Sequence, residues 1–180
     1  LSVVILDRDG TIVIDRGYLD DPDGLEFLPG AAEGLCTLYG SGYRLVVVTN
    51  QSGVGRGLIP PERVPAMNAR LELMVRKIGA ELAAIYVCPH APDDRCECRK
   101  PAQALMRRAA AEVGFEPRRA IVIGDKESDV EFGRRAGAGT ILIAGAGPGP
   151  NPAPGSRQAP DLVAPDLAAA AAAIKAWRGP

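Results

Sequence analysis

Two sets of side chains in this 180-residue sequence have the types and spacing that chemistry needs. The first is Asp7-Arg8-Asp9-Gly10-Thr11, which follows directly on the apolar run Val3-Val4-Ile5-Leu6. Residues two apart on an extended chain point the same way, so the Asp7 and Asp9 carboxylates can address one small volume. Two like charges that close need a cation between them or a proton on one of them. Gly10 lets the chain turn away, and Thr11 can cap or bind locally. The second set is Cys88-Pro89-His90 followed by Cys96-Glu97-Cys98. Three thiols and an imidazole in so short a span suit tetrahedral zinc, and a closed set of four ligands leaves no position for water. The expectation is therefore a structural zinc ion, held by Cys88, His90, Cys96 and Cys98, that pins loop 88–98.

Elements must bring such groups together, and the apolar pattern says which. Runs at 3–6, 44–48, 84–87, 120–123 and 140–143 read as strands, and the unbroken Leu45-Val46-Val47-Val48 predicts a strand covered on both faces. The spacing of Val64, Met67, Leu71, Met74, Val75 and Ile78 predicts a core-facing helix over 62–78, and a shorter one is expected over 31–39. Pro101 reads as the first residue of a helix to 113, packed by Leu105, Met106, Ala109, Ala110 and Val113. Ser128 and Glu131 have capping-box spacing for a helix to 136. Asp166 is expected to cap an Ala-rich helix over 167–177 that packs by Leu167, Ile174 and Trp177. Residues 12–27 read as a solvated loop, and the Gly/Pro-rich 144–160 as loose.

Alternating strands and helices predict an α/β fold: a doubly wound, Rossmann-like parallel sheet with right-handed crossovers. A single domain over 1–180 is expected, with the zinc loop inserted and no large cap. Such sheets bind ligands outside the carboxyl ends of their strands. Those ends carry Asp7 and Asp9, Thr49-Asn50-Gln51-Ser52, and Asp125-Lys126, while Arg99 and Lys100 are fixed between the metal loop and a helix.

Composition narrows the partners. Apolar residues make up 47% and charged ones 24%, with a net charge of −1, which gives no electrostatic case for nucleic acid or an anionic membrane. No apolar run approaches the ~20 residues of a membrane span, and no basic start with a long apolar middle precedes the first strand, so a cytoplasmic location is expected. Of four cysteines, three crowd into 88–98 and Cys36 stands apart, a metal-like distribution rather than a disulfide framework.

Taken in order, Asp7-Arg-Asp-Gly-Thr11, Thr49-Asn-Gln-Ser-Gly53, Cys88-Pro-His90 with Cys96-x-Cys98-Arg-Lys-Pro101, and Gly124-Asp-Lys126 resemble the ordered signatures of the haloacid dehalogenase superfamily. More narrowly they resemble the D-glycero-D-manno-heptose 1,7-bisphosphate 7-phosphatases and their relatives, the histidinol-phosphate phosphatases. The resemblance spans 3 to 143, and Asp15-Arg16-Gly17-Tyr18 together with Gln51-Ser-Gly-Val-Gly-Arg-Gly57 lies closer to the heptose branch. Ala102-Gln103 departs from the Lys-Pro or Pro-Gly usual after Arg-Lys-Pro.

The resemblance implies a magnesium-dependent phosphatase working through an aspartyl-phosphate. Asp7 would be the nucleophile and Asp9 the general acid and base; Asp7, Asp125 and the main-chain oxygen of Asp9 would hold magnesium. Thr49 and Lys100 would stabilise the phosphoryl group. Asp15, Arg16, Gly17, Tyr18, Asn50, Gln51, Ser52, Arg99 and Lys126 would contact substrate, with Arg99 and Lys126 suited to the phosphate that stays. The implied partner is a small sugar phosphate on the way to a nucleotide-activated heptose for lipopolysaccharide core or another surface glycan, met by a monomeric enzyme. Two other readings stay open: a histidinol-phosphate phosphatase of histidine biosynthesis, and a non-catalytic zinc-stabilised binding module.

Overall fold

The computed structural model describes residues 2–146 and 159–176. Its strands are β1 Val3–Leu6, β2 Arg44–Asn50, β3 Leu82–Cys88, β4 Ile121–Gly124, β5 Gly139–Ile143 and β6 Leu162–Ala164. They form one parallel sheet in the order β3-β2-β1-β4-β5-β6. The chain thus winds outward from β1 in both directions. The switch point lies where β1 meets β4, so the crevice of such a sheet opens at Asp7 and Asp125.

Both faces of the sheet are covered, which is why its strands show no polar alternation. Val4 and Leu6 of β1 face a core built with α1 Ala31–Gly40, α3 Arg63–Lys77 and α6 Leu167–Ala176. Val3 and Ile5 face a second core with α4 Ala104–Val113 and α5 Glu127–Arg135. A short turn of helix, α2 Ser52–Gly55, caps the end of β2. Met67, Leu71 and Val75 of α3 are buried as their spacing predicts, and truncating a core leucine such as Leu71 to alanine costs about 2–5 kcal/mol. Asp166 caps α6 as expected, its Oδ1 accepting from Ala169 N at 2.8 Å.

Several expectations need correction. The sheet has a sixth strand, Leu162–Ala164, paired with β5; three residues after a Gly/Pro-rich stretch carry no readable pattern. β3 begins earlier than 84 and includes Cys88, so the first thiol sits on the strand itself. Helix α4 starts at Ala104, not Pro101. Across a cis Lys100–Pro101 peptide the chain turns, Ala102 N donating to the Arg99 carbonyl at 2.8 Å and Gln103 Nε2 to the carbonyls of Pro101 and Phe132, each at 3.0 Å.

Ser128 and Glu131 do not cap α5. Lys126 is its N-cap residue, and the peptide N–H of Lys126 donates to Asp129 Oδ2 at 3.1 Å. Nor is 12–27 wholly solvated: Ile12, Val13 and Leu25 are buried in the core, Val13 bridges to Asp9 and Phe27, and exposure is left to Asp15–Tyr18, Asp21, Asp23 and Glu26. The Thr11 hydroxyl is buried without a hydrogen-bond partner among the described residues, contrary to a capping role. Most of the stretch expected to be loose, 147–158, and Trp177 lie outside the described residues.

Candidate active site

A cleft of about 260 Å³ opens at the carboxyl ends of β1 and β2, walled by the loops that leave them and by the start of α5. Lys100 lies at its floor, 4% exposed. Its ammonium donates to the Val48 carbonyl at 2.6 Å and pairs by charge with Asp7 Oδ1 at 2.9 Å and Asp129 Oδ1 at 2.7 Å. Burial disfavours the charged lysine, but Asp129 and Asp7 outweigh it and raise its pKa. Lys100 therefore stays a fixed cation. Asp7 Oδ1 also accepts the Arg8 peptide N–H at 2.8 Å. Among the described residues both contacts of that carboxylate fall on Oδ1, which leaves Oδ2 for attack or for a metal.

Carboxylate oxygens of Asp7, Asp125 and Asp129 lie within 4.8 Å of one another. The crowding has visible consequences. Burial, aided by the charges of Asp7 and Asp129 and opposed by Lys126, pushes the Asp125 carboxyl up to about 7. Burial likewise raises Asp129 against the pull of Lys100. Asp125 Oδ1 is buried and has no hydrogen-bond partner among the described residues. An orphaned oxygen among converging carboxylates fits a hard divalent cation, which takes oxygen ligands. Two glycines make room: a Cβ on Gly10, whose φ is +82°, would collide with the Asp125 carboxylate, and one on Gly124 with Asp129.

Asp9 is held apart from this group. Its Oδ2 accepts from Arg8 Nε at 3.0 Å and Gln51 Nε2 at 2.7 Å, and Gln51 also donates to Thr49 Oγ1 at 2.8 Å. Asn50 uses both ends of its amide on Lys100, accepting from the peptide N–H at 3.0 Å and donating to the carbonyl at 3.2 Å. Asp15, Gly17, Tyr18, Ser52, Arg99 and Lys126 line the cleft with Asp7, Asp9, Thr49, Asn50, Gln51 and Lys100. Lys126 lies 3.4 Å from Asp15 and 3.7 Å from Asp125. Arg16 is not in the lining; its guanidinium pairs with Glu26 at 2.7 Å on the exposed loop.

The second cluster forms as its spacing predicts. Cys88 Sγ lies 3.6 Å from Cys96 Sγ and 3.0 Å from Cys98 Sγ, Cys96 and Cys98 are 3.6 Å apart, and His90 Nδ1 is 3.1 Å from Cys98 and 3.7 Å from Cys88. Thiolates about 2.3 Å from a tetrahedral zinc would be spaced by about 3.8 Å, so the set fits that ion. Between its halves, Arg95 takes the left-handed conformation at φ 49°, which few side chains adopt unless the surroundings hold them there. The cluster reaches the cleft through Cys98-Arg99-Lys100 and through Gly55, whose N–H donates to the Pro89 carbonyl at 2.7 Å.

Sequence reasoning missed two residues. Asp129 is passed over beside the Ser128–Glu131 cap spacing, yet its carboxylate lies 2.7 Å from the Lys100 ammonium, and nothing in its local pattern signals that contact. Arg8 carried no signal beyond lying between two aspartates.

The strand-end carboxylates, buried lysine and thiol loop can now be set beside known proteins. The HAD-hydrolase-like family model matches residues 97–170. D-glycero-beta-D-manno-heptose-1,7-bisphosphate 7-phosphatase of Helicobacter pylori (strain J99) is 40% identical over 136 residues, covering 75% of this chain and 78% of that one. The enzyme of the same name from Photorhabdus laumondii is 36% identical over 150 residues, covering 79% and 80%. The chain belongs to this phosphatase family. Among solved structures, D,D-heptose 1,7-bisphosphate phosphatase from B. bronchiseptica, complexed with magnesium and phosphate, superposes with a TM-score of 0.83 at 29% identity, covering 98% of this chain and 99% of that one. Family membership agrees with the expected parallel sheet, and among the described residues no helix is long and apolar enough to cross a membrane.

Proposed function

We propose that this protein hydrolyses the 7-phosphate of D-glycero-D-manno-heptose 1,7-bisphosphate through an aspartyl-phosphate on Asp7. The observation that carries the reading is the buried Asp7–Lys100–Asp129 constellation at the switch point of a chain with heptose bisphosphate phosphatases as relatives. Asp7 Oδ2 attacks phosphorus while Lys100 and Thr49 hold phosphoryl oxygens, and Asp9 gives a proton to the departing sugar oxygen. Asp9 then takes a proton from the water that cleaves the aspartyl-phosphate. Magnesium, held by Asp7, Asp125 and the Asp9 main-chain oxygen with Asp129 beside them, would offset charge on the transferring group. Cys88, His90, Cys96 and Cys98 would hold zinc, whose part is to shape the loop.

Specificity would come from the rim. Arg99 and Lys126 stand at the cleft wall, where a second phosphate needs cations, and Tyr18, 48% exposed, offers an aromatic face to a sugar. A histidinol phosphate would instead bring an imidazolium to these cations, which favours the bisphosphate. The test is phosphate release with magnesium from both heptose bisphosphate anomers and from histidinol phosphate. A kcat/KM higher for histidinol phosphate would overturn the assignment, and no turnover of any phosphate ester would leave the binding-module reading. The protein would act alone on its small substrate in the cytoplasm.

A further inference from the structure

Arg8 is only 3% exposed, an uncommon place for a guanidinium. Its fork closes on its neighbour: Nε donates to Asp9 Oδ2 at 3.0 Å, while Nη2 lies 2.9 Å from Oδ2 and donates to Oδ1 at 3.3 Å. Its backbone is tied as firmly, the N–H to Asp7 Oδ1 at 2.8 Å and the carbonyl to the N–H groups of Ile12 at 2.9 Å and Val13 at 3.0 Å. Stability gives little reason for a cation here, because a buried ion pair often contributes no more than apolar side chains of equal size. Orientation gives a better one. With its main chain fixed to the Asp7 carboxylate, the Arg8 side chain sets the direction of Asp9 relative to that same carboxylate.

We propose that Arg8 is a positioning residue for proton transfer: together with Gln51 it occupies Oδ2 of Asp9 and so leaves Oδ1 to carry the proton to the leaving group. Oδ2 accepts two donors, at 3.0 and 2.7 Å, whereas Oδ1 has the single contact at 3.3 Å. An oxygen with two strong donors has no free lone pair for a proton. In the step concerned, the bond from phosphorus to the sugar oxygen breaks as the bond from Asp7 Oδ2 to phosphorus forms. The sugar oxygen keeps the electron pair and takes the proton from Asp9 Oδ1. The proposal rests on Asp9 being the acid of the function inferred above.

The test is the dependence on leaving group, read as kcat/KM of the magnesium-loaded enzyme, which reports steps up to the first cleavage. An alkyl phosphate must have its leaving oxygen protonated; p-nitrophenyl phosphate releases a phenolate that needs no proton. General acids contribute about 10²–10⁴-fold, so Arg8→Met should lose roughly tenfold to a hundredfold on the heptose bisphosphate and less than about threefold on the aryl ester. Equal losses on both substrates, or no loss on either, would overturn the proposal. Asp9→Asn should show the same split, and adding Arg8→Met to it should cost nothing more; a further loss also overturns it. Arg8→Lys keeps the charge without the fork and carries the comparison if Arg8→Met does not fold, wild-type rates on both esters then counting against the fork. Should the heptose bisphosphate not be a substrate, the substrate reading falls, and the Arg8 comparison proceeds unchanged on glycerol phosphate.

Discussion

The two clusters that gather metal-binding side chains differ in what they leave open. At the loop, Cys88, His90, Cys96 and Cys98 face one another and make a complete set. In the cleft, Asp7, Asp125 and Asp129 leave an orphaned oxygen and are interleaved with Lys100 and Lys126, and Asp7 and Asp129 border a cavity of about 260 Å³. A closed set fixes the shape of the chain around it; an incomplete set beside a cavity has room for substrate. The contrast teaches that a soft, closed ligand set suits shape and a hard, open one suits reaction, and the two are joined by three consecutive residues, Cys98-Arg99-Lys100. Damage to the cleft should abolish turnover and spare the fold, while damage to the loop should do the reverse.

The largest effect expected is that of Asp7→Asn, a near-isosteric loss of the carboxylate proposed to attack phosphorus. Turnover should fall by more than roughly a thousandfold with the unfolding temperature nearly unchanged. Substantial residual activity would move the nucleophile elsewhere in the cleft. On the loop, Cys98→Ser should lower zinc affinity by more than the ~10–100-fold that even outer-shell losses cost, and should depress thermal stability before it touches the chemistry. Elemental analysis of reduced protein should find one zinc per wild-type chain. A Cys98→Ser variant that unfolds normally but has lost turnover would erase the division between the clusters.

How much of this was legible in the sequence follows the same division. Local spacing was enough for the thiol loop, since ligands that meet in space are close in the chain. Asp7, Thr49, Lys100 and Asp125 were legible because each ends an apolar run or the metal loop, and a parallel sheet brings such ends together. What escaped depends on contacts made across the chain. Asp129 offered a sufficient local reason, a helix cap, and its grip on Lys100 appears only once α5 is laid beside the loop. Ile12 and Val13 sit in a stretch without periodicity and are buried by bonding back to Arg8, an arrangement no window of pattern reveals. Arg16 reads as part of a recognition stretch, but it lies outside the cleft lining, paired with the exposed Glu26.

A smaller effect should separate the roles of the two cations after the loop. Lys100 is buried against Asp7, whereas Arg99 is at the rim, its Nη1 3.4 Å from the His90 carbonyl. Removing one partner of a bidentate charged contact costs roughly 1.5–3 kcal/mol. Arg99→Ala should therefore lose about tenfold to a hundredfold in kcat/KM on the bisphosphate and little on a monophosphate. Equal losses would show that Arg99 reaches the reacting phosphoryl group.

The smallest effect tests the joint between the clusters. Asn50 is the register partner of Cys88, the first thiol, and Gln51 N–H donates to the Cys88 carbonyl at 2.8 Å. From that strand end the Asn50 amide clamps the Lys100 peptide through two hydrogen bonds, at 3.0 and 3.2 Å. The clamp fixes where the Lys100 side chain starts, while Val48, Asp7 and Asp129 fix where it ends. Each hydrogen bond contributes about 0.5–1.5 kcal/mol net, so Asn50→Ala should lower kcat about tenfold. Zinc content should stay at one per chain, because no thiol is touched, and KM should change little if the amide serves only Lys100. A rise in KM at constant kcat would instead make Asn50 a contact for substrate, as its sequence context implies. Loss of zinc with the amide would mean that the loop and the cleft are held by one network, and the division of labour between them would have to be abandoned.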